Sequence, residues 1–251
     1  MNISFDNTSL TTAPYIVNAI DIEGISNRQL FTYGLARQRG SQLLNTEYKA
    51  KSFKLSGYIT ADTAGDLDDA IDTFKELITR ESKNLDISYG SGTRRYVCTL
   101  ASIPELKREF YHITHIPFQI EFLAPTGTGT DTGETSETEA GINTLVNTDA
   151  IVVAGTVAPK MRTTFTFTAA SALTKIEFLA NGDKITVTTA IAAADIIIID
   201  EASLKVTKNG VEIPYTGIFP AFTLGSNSHT TTLTGTSGTY TRKMDYTKTY
   251  L

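Results

Sequence analysis

From Thr126 to Gly141 the chain reads Thr-Gly-Thr-Gly-Thr-Asp-Thr-Gly-Glu-Thr-Ser-Glu-Thr-Glu-Ala-Gly. No large apolar side chain interrupts it. Such a run has nothing to bury and is expected to stay mobile. As a flexible coil it would span about 20 Å. It follows Pro125 and divides the sequence into an N-terminal domain at 1–125, a Thr/Gly/Glu-rich linker at 126–141 and a C-terminal domain at 142–251. Each half is long enough to hold a core of its own.

Before the linker the pattern is mixed. Ile20 and Ile22 alternate with Asp21 and Glu23, which predicts a strand within 15–25. Leu30–Leu35 is a second candidate strand. Arg37, Gln38, Arg39, Gly40, Ser41 and Gln42 form a polar stretch between apolar flanks and read as the tip of a long hairpin or arm. Phe53, Leu55, Gly57 and Ile59 then share one face of a strand. Leu67, Ala70, Ile71, Phe74, Leu77 and Ile78 fall at helical spacing, with Asp62 or Thr63 as cap and Arg80 near the C-terminal end. A hairpin follows, Leu85–Tyr89 against Arg95–Ala101, turning at Gly90–Thr93. In His112–Leu123 the side chains of Ile116, Phe118, Ile120 and Phe122 face one way. Pro117 lacks a donor, so this strand is expected at an edge or a bulge.

After the linker the chain reads as strand almost throughout. Met161, Thr163, Phe165 and Phe167 alternate with Arg162, Thr164 and Thr166. Ile196–Ile199 reads as a strand buried on both faces. Gly182-Asp183 and Asn209-Gly210 are hairpin signals. Ala190–Ala194 reads as one helical turn at most. Seven or eight short strands at this spacing predict a β-sandwich. The fold class is therefore mainly β, with an α+β first half and an all-β second half.

Composition excludes several functions. With 22 Lys and Arg against 27 Asp and Glu, the net charge is −5. The basic residues are scattered, whereas specific binding of nucleic acid needs clustered cations. The longest aliphatic run, Ile196–Ile199, is far too short to span a bilayer. The N-terminus has no basic, apolar leader, so synthesis in the cytoplasm is expected. Cys98 stands alone in a strand pattern and reads as a buried, inert thiol. His112 and His115 point to opposite faces of a strand, and no set of zinc ligands surrounds them. No Gly-x-Ser-x-Gly occurs, and Asp200 and Glu201 read as a solvated strand end. The expectation is a protein without catalysis, metal or cofactor. The one candidate ligand platform is aromatic: Tyr215, Phe219 and Phe222, in a sequence without Trp.

The order of elements carries a resemblance. Strand, arm, Lys51-Ser-Phe-Lys-Leu-Ser-Gly-Tyr-Ile59, an acidic-capped helix, the Leu85–Tyr89 hairpin with Arg94-Arg-Tyr-Val-Cys-Thr-Leu100, the strand ending at Leu123, a linker and an all-β half ending Lys248-Thr-Tyr-Leu251 resemble the distal tail proteins of long-tailed, non-contractile bacteriophages. The resemblance implies an N-terminal β-sandwich with one helix and a projecting hairpin, and a galectin-like C-terminal sandwich. It implies a homohexameric ring at the virion tail tip that joins the tail tube to the baseplate hub and passes DNA. Its partners would be tube, tape-measure, hub and receptor-binding proteins. Arg37, Arg39, Gln42 and Tyr48 lie where the family's arm lies and would make subunit contacts. The alternatives are a carbohydrate-binding module or adhesin using Tyr215, Phe219 and Phe222, and a major tail-tube subunit.

Overall fold

A computed structural model describes residues 1–22, 28–33, 42–90, 92–102, 106 and 114–251, with the backbone alone for 28–33 and 42–47. The chain forms two compact units, Met1–Thr132 and Gly133–Tyr250.

The first unit opens with β1 (Asn2–Phe5), β2 (Thr8–Ser9), β3 (Thr11–Thr12) and β4 (Tyr15–Ile22). Then come β5 (Arg28–Tyr33), β6 (Gln42–Tyr48), β7 (Lys51–Thr60) and the helix α1 (Ala64–Ile78). β8 (Lys83–Tyr89), β9 (Gly92–Ser102), β10 (His115–Ala124) and β11 (Gly129–Asp131) complete it. The hydrogen-bonded path runs β2-β1-β8-β9-β10-β7-β4-β3. Its two ends are the same stretch of chain. Leu10, between β2 and β3, donates its N–H to the Ile3 carbonyl at 2.8 Å and accepts from the Val17 N–H at 2.7 Å. Leu10 therefore closes the sheet on itself and leaves neither end of the path as an open edge, the usual liability of a sheet.

Long β9 turns the corner between layers. Its first part pairs with β8, from Gly92 to Cys98, and its last part with β10, from Thr99 to Ser102. β10 pairs with β7 along its whole length but with β9 only from Glu121 to Leu123. At Pro117 it thus has one described neighbour, as a residue without an N–H requires.

α1 packs on β4, β7 and β10 with the expected stripe. Leu67, Ile71, Phe74, Leu77 and Ile78 are buried. Thr63, not Asp62, is the cap: its hydroxyl accepts from the Asp66 N–H at 3.2 Å. Phe74 packs between Tyr15 and Phe118, with ring centroids 5.1 and 4.7 Å away. Each large side chain buried in this way contributes about 1.5–3 kcal/mol.

The second unit contains β12 (Thr135–Ile142), β13 (Val146–Val153), β14 (Arg162–Ser171), β15 (Leu173–Ala180), β16 (Asp183–Ile191) and β17 (Ile196–Asp200). β18 (Lys205–Lys208), β19 (Val211–Glu212), β20 (Thr216–Gly217), β21 (Gly225–Thr234), β22 (Ser237–Tyr246) and β23 (Thr249–Tyr250) follow. One sheet runs β12-β22-β14-β17-β18-β19 and the other β13-β21-β15-β16-β20. Phe165, Phe167, Phe178, Ile185, Val187, Ile197 and Tyr240 fill the space between them. This is the sandwich that the alternation predicts.

Four expectations need correction. The stretch 126–141 is not an unstructured linker: Gly129–Asp131 is β11, and Thr135–Ile142 is β12, paired along β22. A polar strand without a hydrophobic face can be held by a ladder and ion pairs, which composition does not reveal. Ile196–Ile199 is not buried on both faces; Ile197 and Ile199 are buried, while Ile196 is exposed. The hairpin near Gly182 turns at Asn181-Gly182, both at positive φ, with Ala180 opposite Asp183. The run 190–194 holds the end of β16 and a turn with Ala194 at φ 68°, not a helical turn. Asn209-Gly210, at φ 51° and 82°, turns between Lys208 and Val211 as expected.

Candidate functional site

Cys98 is fully buried, and burial pushes its thiol up to about 12, the opposite of what a nucleophile needs. Among the described residues, no group of three or more His, Cys, Asp or Glu side chains is placed to hold a metal. No helix among the described residues is long and apolar enough to cross a membrane. Glu201 is not a solvated strand end, however. It is buried and accepts from Lys160 Nζ at 2.7 Å and from the Met161 N–H at 3.1 Å. Asp200 ends its strand half-buried, with its carboxylate accepting from the N–H groups of Ala202 and Ser203.

The arm region is a ribbon of its own. β5 and β6 pair antiparallel, from Arg28 opposite Tyr48 to Tyr33 opposite Gln42, and neither strand joins another sheet among the described residues. Gln42 and Tyr48 sit at opposite ends of β6. Arg37 and Arg39 lie outside the described residues.

The three candidate aromatics do not form one platform. Tyr215 and Phe219 pair edge to face with centroids 5.0 Å apart, and the Tyr215 hydroxyl donates to the Leu204 carbonyl at 3.3 Å. Phe222 is buried in the core, against Phe178 and His229. It cannot face a ligand. Leu204 and Ile218, both exposed, extend the apolar surface beside Tyr215.

A further cluster was not anticipated from the sequence. Arg242 on β22 has a side chain only 2% exposed, inside the sandwich. Its Nη2 donates to Glu139 Oε2 on β12 at 2.5 Å and to Asp149 Oδ2 on β13 at 3.3 Å. Its Nη1 donates to Asn147 Oδ1 at 2.9 Å and to Thr231 Oγ1 at 3.1 Å. Because a buried charge must be paired, the guanidinium draws one carboxylate from an edge strand of each sheet, β12 and β13, toward one point. Asp149 is held below the usual carboxylate range, first by the Ala150 N–H and also by Arg242. His229, buried beside them, is pushed down to about 4 by desolvation and then by Arg242. A signal was present: Tyr240, Arg242, Met244 and Tyr246 occupy one face of a strand, and only Arg242 is polar there.

A second ion-pair group lies on the outer side of the same strands. The buried Asp245 carboxylate accepts from Ser136, from Lys243 at 2.8 Å and from Arg162 at 3.3 Å. Arg162 also holds Glu134 at 3.0 Å. Burial raises the Asp245 carboxyl, but these donors outweigh it and leave it lowered.

Residues 154–250 match the family of siphovirus-type tail components, in its C-terminal domain. No curated protein sequence matches the chain. Among solved structures, the Dit protein of phage SPP1, described as a paradigm of the hub adsorption apparatus in phages infecting Gram-positive hosts, matches with TM-score 0.74. The match covers 100% of this chain and 99% of that one at 12% identity. A chain of the phage P2 baseplate in its activated conformation with Ca matches with TM-score 0.42 at 9% identity, over 98% of this chain and 97% of that one. Residues 154–250 thus match the C-terminal domain of the siphovirus-type tail components, within a mainly β chain whose fold is similar to that of the SPP1 Dit protein from end to end.

Proposed function

We propose that this chain is a distal tail protein: a hexameric ring at the tip of a non-contractile phage tail, joining the tail tube to the baseplate hub and letting DNA pass. The observation that carries this reading is the likeness to a hub protein over both units in the same order, with the family match in the second. A structural role also suits a chain whose only thiol is buried and inert.

Two features support the ring. A closed ring uses a head-to-tail interface, in which one patch meets a different patch on the neighbour. The β5–β6 ribbon, paired with no other sheet among the described residues, is suited to reach a neighbour, with Arg37, Arg39, Gln42 and Tyr48 as contacts. With a net charge of −5 and no clustered cations, the chain would not grip DNA in transit. The partners are then copies of itself, tube, tape-measure and hub proteins, and receptor-binding proteins on the second unit. An antibody against the chain should label virions of the phage that encodes it at the tail tip. Label along the whole tube would contradict the proposal and favour a tube subunit.

A second reading rests on the edge-to-face pair of Tyr215 and Phe219 beside Leu204 and Ile218. Such a pair is a reduced glycan platform. Glycan-array binding that disappears in Tyr215→Ala would support an adhesin role, and a silent array would remove it.

A further inference from the structure

The segment 133–142 has the composition of a tether and the hydrogen bonding of a strand. We infer that β12 is a releasable strap: an edge strand that peels from β22 as a unit and is latched mainly by Arg242. This inference stands apart from the ring proposal and concerns the second unit alone.

Little hydrophobic burial holds β12 in place. Of its eight residues, Ile142 alone is buried. It has β22 on one side and, among the described residues, no strand on the other, since it ends the path of its sheet. Its ladder is interrupted between Glu139 and Ile142, where Gly141 takes φ +71°. What remains is polar. Glu139 binds Arg242 and accepts from Asn147 Nδ2 at 3.1 Å, Ser136 donates to Asp245, and the exposed Glu134, just before the strand, accepts from Arg162 at 3.0 Å. Elements with few buried apolar contacts open locally at lower free energy than the core around them.

Departure of β12 need not disturb what it leaves. β22 keeps its ladder with β14, from Arg162 opposite Asp245 to Ser171 opposite Ser237. Arg242 keeps Asp149, Asn147 and Thr231, so the buried cation is never left bare. Asp245 keeps Lys243 and Arg162. This asymmetry marks a latch: the strap loses its main anchor, while the sandwich retains a partner for every charge. Release pays out about ten residues between Thr132 and Ile142, or about 30 Å of extended chain at the usual rise per residue.

Hydrogen–deuterium exchange of the full chain, read by mass spectrometry at neutral pH, tests this. Amides of 135–139 should exchange about tenfold or more faster than those of 163–167 in β14. In Glu139→Gln, which keeps the side chain's size and removes its charge, exchange over 135–139 should rise by a further factor of about ten, the worth of one charge-assisted hydrogen bond. β14, β15 and β16 should not change. Equal protection of β12 and β14 in the unaltered chain would overturn the inference. So would a Glu139→Gln variant in which every strand of the unit accelerates together.

Discussion

Arg242 and Glu139 meet at 2.5 Å across a boundary: the arginine side chain is 2% exposed and the glutamate 37%. The two ends of this ion pair are therefore not equivalent. Removing the acids strands a cation in the sandwich, whereas removing the cation leaves acids that water can reach. The double variant Glu139→Gln with Asp149→Asn should destabilise the second unit by about 3–5 kcal/mol, the usual cost of orphaning a buried charge. Arg242→Met, which fills the site with apolar atoms, should cost less, about 1–3 kcal/mol for the polar groups left behind. Urea denaturation of the three proteins gives the order directly.

The same cluster makes the second unit sensitive to mild acid. His229 titrates at about 4 in the fold and at about 6.5 in an unfolded chain. Between those values the unfolded state binds the extra proton, so stability rises with pH across the window. It is complete above about pH 6.5 and declines toward pH 4, by up to about 3 kcal/mol. Asp149, whose folded value is lowered, adds a separate loss only as pH falls below the ordinary carboxylate range. His229→Gln should flatten the upper window and leave the lower one. A pH series of urea midpoints that keeps its slope above pH 4 in the variant would refute the assignment.

Gly57 shows how tightly the first unit is closed. A β-carbon there would lie 2.2 Å from the Ile16 carbonyl oxygen and 2.8 Å from the Val17 α-carbon. β4 is bulged at this point, between Val17 and Ala19, and passes directly over the glycine. Gly57→Ala must push two backbones apart and should cost about 3 kcal/mol. Calorimetry of the variant should show a lower melting temperature for the first unit, with the second unchanged.

Cys98 provides a reporter for that unit. Its side chain is fully buried and its thiol is raised to about 12 by desolvation. It pairs with Lys83 across the β8–β9 ladder, inside the closed sheet. A thiol reagent should not label the native chain at neutral pH, and one equivalent should react once the first unit unfolds. Rapid labelling of the folded protein would mean that the β8–β9 corner opens.

The legibility of the sequence depended on how each element is held together. The α1 stripe, the β10 alternation and the Asn209-Gly210 turn are set by local periodicity and by positive φ, both visible residue by residue. β12 was invisible because no periodic face secures it; its partners, Arg242 and Asp245, are about a hundred residues away in sequence. Closure of the first sheet at Leu10 was equally hidden, since it rests on two backbone hydrogen bonds from one residue. Phe222 misled for the opposite reason. An aromatic in a Pro-rich loop can face solvent or core, and here the neighbouring Phe178 and His229 take it inward.

The ring is the central claim, and the mass and shape of the purified chain test it most directly. Native mass spectrometry combined with negative-stain imaging should show hexamers of the 27.3 kDa chain as closed six-fold rings with a central opening. Deleting the ribbon between Arg28 and Tyr48 should reduce them to monomers that retain the second unit's fold. A chain that remains strictly monomeric at high concentration, or that assembles into open tubes, would contradict the account.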